Sequence, residues 1–262
     1  MQLLCTRMLT LALTGALILA AGGVAQAEGW GTIKGQVVWY GKEAPKREPA
    51  NVTKDQAECE KNGKLWDDKL VVNPKNKGVR WCIVYLINVG GFDKDIPIHP
   101  KLKEIKNKTV ELDQPCCQFE PHMLAMREGQ TLIVKNSAKI SHNTNLIGGV
   151  KGPNTNPILP GGGRLTIEEI KARPIPITVK CDVHPWMSGW IAVLKNPYFA
   201  VTDADGNFEI KDAPAGDFRL VIWHEKAGWV IGDTKPTKNG KKITIKAGET
   251  TNLGQIPLKP AE

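Results

Sequence analysis

Val179-Lys180-Cys181-Asp182-Val183-His184-Pro185-Trp186-Met187-Ser188-Gly189-Trp190 places a thiol, an imidazole and a thioether at three-residue intervals. The residues on either side, 175–180 and 189–194, read as strands, so Cys181, His184 and Met187 fall on one tight loop and can converge on a single ion. A fourth donor has to come from elsewhere in the chain. His142 stands just beyond another predicted strand, 131–136, and its neighbour Asn143 is placed to tie the His142 loop to the Cys181 loop.

The donor types select the metal. Two imidazoles and one thiolate with a weak axial Met suit copper cycling between Cu(I) and Cu(II). A structural zinc site closes its shell with four strong Cys or His donors, and here the fourth is a thioether. A binuclear copper centre needs a second cysteine in the Cys181 loop, and the sequence has none there. Cys181 and His142 could also be imagined as nucleophile and base, but Met187 has no part in that chemistry. One mononuclear copper site made of His142, Cys181, His184 and Met187 is the expectation. Pro185 and Trp186 form an apolar surround with Trp190, and Pro185 lacks an amide hydrogen to offer the Cys181 sulfur.

Outward from the loop, short apolar or alternating runs separated by Gly, Pro, Asn and Asp recur at 32–40, 80–89, 207–210, 218–223 and 242–245. That rhythm is all-β and predicts sandwiches. Residues 54–61 and 166–171 are the best helical candidates. Residues 148–163, rich in Gly, Pro and Asn, are expected to form a surface loop.

His142-Asn143 with Cys181-x2-His184-x2-Met187 resembles the cupredoxin pattern, and Pro185 directly after the second His is most similar to amicyanin. The resemblance extends over about residues 108–195. It implies a Greek-key β-sandwich, outer-sphere electron transfer, and His184 as a partly exposed port. Trp186, Cys116-Cys117 and the long loop after Asn145 depart from the pattern. Two flanking stretches, residues 31–41 with the strand at 82–87, and residues 201–210 with 213–220, resemble the carboxypeptidase regulatory-like, prealbumin-like sandwich. The division that follows is a leader at 1–27, a split prealbumin-like sandwich at 28–90 and 198–262, and a copper domain at 91–197 inserted between its strands. Two sandwiches in series are the alternative.

The leader rests on lone Arg7, an apolar run at 8–21 and the small-x-small signature Ala25-Gln26-Ala27, which mark a secretory signal peptide and hence a periplasmic or secreted protein. An uncleaved anchor is the alternative there, and no later segment is apolar enough to span a bilayer. The formal net charge is +8. Its lysines are scattered, which argues against nucleic acid and suits a redox partner with an acidic docking surface. Of the 6 cysteines, Cys5 lies in the leader, leaving Cys59, Cys82, Cys116, Cys117 and Cys181. An odd number in an oxidising compartment leaves at least one thiol unpaired, to be protected, coordinated or reactive, a role assigned to Cys181. The other four allow three pairings, among them a bridge from Cys59 to Cys117.

His122, in Cys117-Gln118-Phe119-Glu120-Pro121-His122, is a possible auxiliary metal ligand set against a plainer role as a strand-end histidine. His99 and His224 lack partners in sequence and are expected to pack or face solvent. Asp203-Ala204-Asp205-Gly206-Asn207 opens like a calcium loop, but Pro214 stands where that loop needs a Glu, so a hairpin turn explains it better. Most of the 8 Trp residues are expected in sandwich cores.

Overall fold

The structure, a computed structural model, describes residues 29–148 and 154–260. The leader at 1–27 lies outside them, as does part of the expected surface loop. The N-terminal part holds β1 (Trp30–Trp39), α1 (Gln56–Cys59), β2 (Ile83–Asn88) and α2 (Pro100–Lys103). The middle holds β3 (Thr109–Leu112), β4 (Met123–Arg127), β5 (Thr131–Lys135), β6 (His142–Asn143), β7 (Asn145–Ile147), β8 (Asn154–Thr155), β9 (Ile158–Leu159), β10 (Arg164–Ile167), β11 (Ile177–Lys180) and β12 (Ser188–Leu194). The C-terminal part holds β13 (Phe199–Val201), β14 (Asn207–Pro214), β15 (Gly216–His224), β16 (Gly228–Trp229), β17 (Lys241–Ile245) and β18 (Thr250–Leu258).

The fold is all-β and built as two sandwiches. Strands from both ends of the chain share sheets: one has the order β14-β1-β18, the other β13-β2-β15-β16 with β17 also on β15. Their facing sides close over Ile33, Val37, Val84, Leu86, Leu220 and Ile222. The middle strands form the second sandwich, with sheets β10-β5-β3 and β4-β12-β11-β7-β8 and the short pair β6-β9. Leu112, Met126, Leu132, Val134, Val179, Ile191 and Val193 fill its core.

Strand pleat then joins the two. Alternate residues on a strand face opposite sides. On β2, Val84 and Leu86 enter the first core while Ile83, Tyr85 and Ile87 face the other way; on β12, Ile191 and Val193 enter the second core while Trp190, Ala192 and Leu194 face the other way. The outward sets meet in a shared layer with Met123, Val221 and Trp223. Both strands are therefore apolar on both faces, which accounts for their continuous hydrophobic runs.

Three expectations are corrected. Residues 166–171 do not form a helix: Leu165 and Ile167 pair with Val134 and Leu132 of β5, and the run then turns through Glu169 at φ 56°. Residues 148–163 are not loop throughout, because β8 pairs with β7 and β9 with β6. Ala50, Val52, Cys59 and Leu65 pack into the core of the middle sandwich, although they precede residue 90 in the chain. The Asp203 run is a turn, as the missing Glu implies: the Asp203 Oδ1 accepts from the amides of Asp205 (2.9 Å) and Asn207 (2.8 Å), and Gly206 supplies φ 75°.

Candidate metal centre

The loop between β11 and β12 is closed by its own backbone. Lys180 pairs with Ser188, the Cys181 amide donates to the Met187 carbonyl (3.2 Å), and the Met187 amide donates to the His184 carbonyl (2.9 Å). Cys181, His184 and Met187 are all turned inward and buried. β7 pairs with β11 at Lys180 and Asn145, which brings the adjoining His142 and Asn143 alongside Cys181. The Nδ1 atoms of His142 and His184 lie 2.9 Å apart, and the Cys181 Sγ is 3.8 Å from the His184 Nδ1. One donor atom from each of His142, Cys181 and His184 falls within 4.8 Å of the other two.

Among the described residues a second triplet is equally close, Cys59, Cys117 and His184. Its two sulfurs are joined in a disulfide and have no thiolate to give. Of these two groups the His142 one keeps a free sulfur and could hold a metal. Burial, then the neighbouring His184 ring, pushes the His142 pKa down to about 4, with Asp55 acting weakly the other way, so its imidazole is neutral at pH 7. Burial also pushes the Cys181 thiol up, against backbone amides at Asn143, His184 and Val183 that favour the thiolate. A cation is what tips such a sulfur to its anionic form.

Asn143 ties the two ligand loops together. Its Oδ1 accepts from the amides of Asp182 (2.7 Å) and Val183 (3.1 Å) and from the Cys181 thiol (3.2 Å), while its Nδ2 donates to the Asp182 carboxylate (3.1 Å). Asn156 (2.7 Å) and Asn145 also donate to Asp182 and hold that carboxyl below its ordinary range. Trp186 lies edge-on to the His184 ring, centroids 5.1 Å apart, and its Nε1 donates to the Cys117 carbonyl (3.1 Å). Pro185 is exposed beside it. Pro185, Trp186 and Met187 form one wall of an open cleft of about 330 Å³ whose other walls include Trp66, Asp68 and Lys69.

The expected exposed port is not present. His184 is 0% exposed, and its Nε2 meets the Asp55 carboxylate at 3.0 Å. Asp55 opens α1 in a segment, residues 50–65, that lies over the loop and is fastened by the Cys59–Cys117 disulfide. Sequence reasoning missed Asp55. Its one signal was an acidic residue at the start of a predicted helix, which suggests a cap and points to nothing distant.

His122 stands outside the group. It is buried with its Nε2 against the carboxylate of Glu225 from β15's end, a pair that bridges the two sandwiches. The His99 Nδ1 accepts from the Lys101 amide (3.1 Å), and its ring packs on Trp30; His224 is buried. Of the cysteines, Cys59 pairs with Cys117, while Cys82, Cys116 and Cys181 are free. Cys82 is a core thiol, pushed up to about 12 by burial. Cys116 accepts from the Asn62 side chain at 3.2 Å.

The chain matches no protein-family model and no curated protein. Solved structures similar to it include a purple cupredoxin, amicyanin and a copper-containing nitrite reductase. A purple cupredoxin from Nitrosopumilus maritimus is 23% identical over 32% of this chain and 98% of its own, with a TM-score of 0.28. An amicyanin mutant in the Cu(I) form is 17% identical over 42% of this chain and 91% of its own, TM-score 0.30. A copper-containing nitrite reductase from Thermus scotoductus is 23% identical over 38% of this chain, TM-score 0.30, and the match spans 27% of the reductase.

Proposed function

We propose that the protein is an exported mononuclear copper protein whose ion would be held by His142, Cys181 and His184 with the Met187 thioether as a fourth, weaker donor, and which passes single electrons between extracytoplasmic partners. The observation that carries this reading is the convergence, within 4.8 Å, of one sulfur and two imidazole nitrogens from loops far apart in sequence. A copper ion bound there would supply a one-electron couple without bond chemistry. The residues do the rest. Backbone closure of the loop and the Asn143 cross-tie hold the donors in one arrangement, which keeps reorganisation on electron transfer small. Burial keeps His142 neutral and water out. Pro185 and Trp186 provide the apolar approach to the ligands, and the basic chain suits a partner with acidic groups around its own docking site.

A copper-holding or copper-delivery module is the second reading, and one observation favours it: the imidazole edge of His184 is sealed by Asp55. Metal analysis of protein exported to the periplasm, with absorption spectra before and after ascorbate, separates the two. A strong band near about 600 nm that bleaches reversibly is expected of copper on a thiolate in a carrier. Tight Cu(I) binding without that band supports delivery, and protein that takes up no copper refutes both. The flanking prealbumin-like sandwich is, in this reading, the scaffold that carries the copper domain.

A further inference from the structure

We infer that Asp55 is a positioning residue for the metal centre, holding His184 through its outer nitrogen and biasing the site toward the oxidised metal. The inference rests on the copper reading above. Asp55 sits at the N-cap of α1, where an aspartate side chain ordinarily accepts from the first turn of the helix. Here it makes no such bond. The helix amides of Glu58 and Cys59 donate instead to its backbone carbonyl (3.0 and 2.9 Å), and the carboxylate turns away to the His184 Nε2 at 3.0 Å. The residue does this from φ 50°, a left-handed conformation uncommon for residues other than Gly, though Asp adopts it more readily than most. The contacts that hold it there are visible. Cys59, four residues on, is bonded to Cys117; the Ala50 amide donates to the Leu65 carbonyl (3.0 Å); and Trp186, edge-on to the His184 ring, is anchored to the same Cys117.

The chemistry follows from proton placement. A carboxylate accepting from Nε2 requires the hydrogen on that nitrogen, which leaves Nδ1, facing the His142 Nδ1 and the Cys181 sulfur, as the ring's atom for a metal. The nearby negative charge makes the imidazole a stronger donor and stabilises Cu(II) more than Cu(I), which lowers the reduction potential. The same contact closes the imidazole edge to solvent and to partners.

Asp55→Asn tests the charge while keeping an acceptor at the same place in a left-handed position that Asn tolerates. In copper-loaded protein the ratio of Cu(II) to Cu(I) affinity is expected to fall about tenfold, the lower end for loss of such a partner, read as a rise in potential of about 59 mV. Asp55→Ala should raise it further and also disturb the thiolate band. A loaded Asp55→Asn protein with the wild-type potential overturns the role of Asp55 and leaves the copper reading intact, whereas wild type that never develops the band sinks both. If the variants do not load, 15N spectra of the metal-free wild type decide: an Nε2 proton of His184 slow to exchange with water supports the contact, and one exchanging as fast as free imidazole refutes it.

Discussion

Cys181 is a buried thiol, and under the proposed function it becomes a thiolate on a cation; its surroundings serve both states. Its burial favours the neutral form, while the amides at Asn143, His184 and Val183 lean toward the anion. Cys181→Ser replaces the one sulfur anion with a weak alcohol donor; the expected outcome is complete loss of the absorption near about 600 nm, checked on protein refolded with excess Cu(II). Asn143 makes a different claim. Its Oδ1 satisfies two loop amides and the ligand thiol at once. Asn143→Ala leaves those donors short of a partner and should cost about 1–3 kcal/mol of stability, measured as a shift in the urea midpoint of metal-free protein. An unchanged midpoint would mean that water substitutes for the amide. The candidate donors on the Cys181 loop were legible because three such residues at three-residue spacing between two strands is a local pattern, and the meeting of His142 with Cys181 and His184 because His142 follows a strand. Asp55 was illegible for the opposite reason. Nothing in the residues around it encodes that its carboxylate leaves its own helix for an imidazole brought from far along the chain.

At the scale of elements, the covering segment is where sequence and structure part most. Its helix was expected at 54–61 and forms as Gln56–Cys59, but its place over the metal loop depends on a covalent link that residue types alone left among three pairings. The same limit applies to 166–171. Its pattern of Ile and charged residues fits one helical turn, yet the preceding residues have an unpaired β5 edge to join, and pairing wins over a short helix that would bury little. Strong strands were read correctly within a few residues, because β5, β11, β12 and β15 carry runs of branched or aromatic residues with clear turn signals at their ends. The bridge itself spans a sequence separation of 58. Loss of the constraint in Cys59→Ser/Cys117→Ser should lower stability by roughly 4 kcal/mol on the loop-entropy estimate. The finer expectation is that diethyl pyrocarbonate, which reaches His184 poorly in the oxidised protein, modifies it readily in this variant; peptide mass mapping reads the difference, and equal labelling of both proteins would show that the segment stays down without its bond.

Over the whole molecule, the two sandwiches share a layer in which Ile83, Tyr85 and Val221 from one meet Met123, Ala192 and Leu194 from the other, with Trp190 edge-on to Trp223 at 4.7 Å. Beside this layer lie titratable groups from both bodies: His224 and Glu225 at the end of β15, and His122 from the middle sandwich paired to Glu225. His224 is enclosed, and burial is the main reason its pKa is pushed down to about 4; Glu225 and the backbone near Arg80 oppose the fall, and His122 and Lys226 add to it. The consequence for stability has a definite sign. In the unfolded chain His224 binds its proton near pH 6.5, whereas the folded protein resists it until about pH 4. Between those values the unfolded state holds more protons, so stability is fully present above 6.5 and falls as the pH drops toward 4, by roughly 3 kcal/mol for this residue. His142 drives the same fall in metal-free protein through its own lowered pKa. His224→Leu removes the first share and leaves that of His142. Urea titrations of the metal-free wild type and of metal-free His224→Leu, at intervals from pH 7 to 4.5, should therefore show a steep loss in the first and a shallower one in the second. Parallel curves would refute the lowered pKa of His224 in the folded protein.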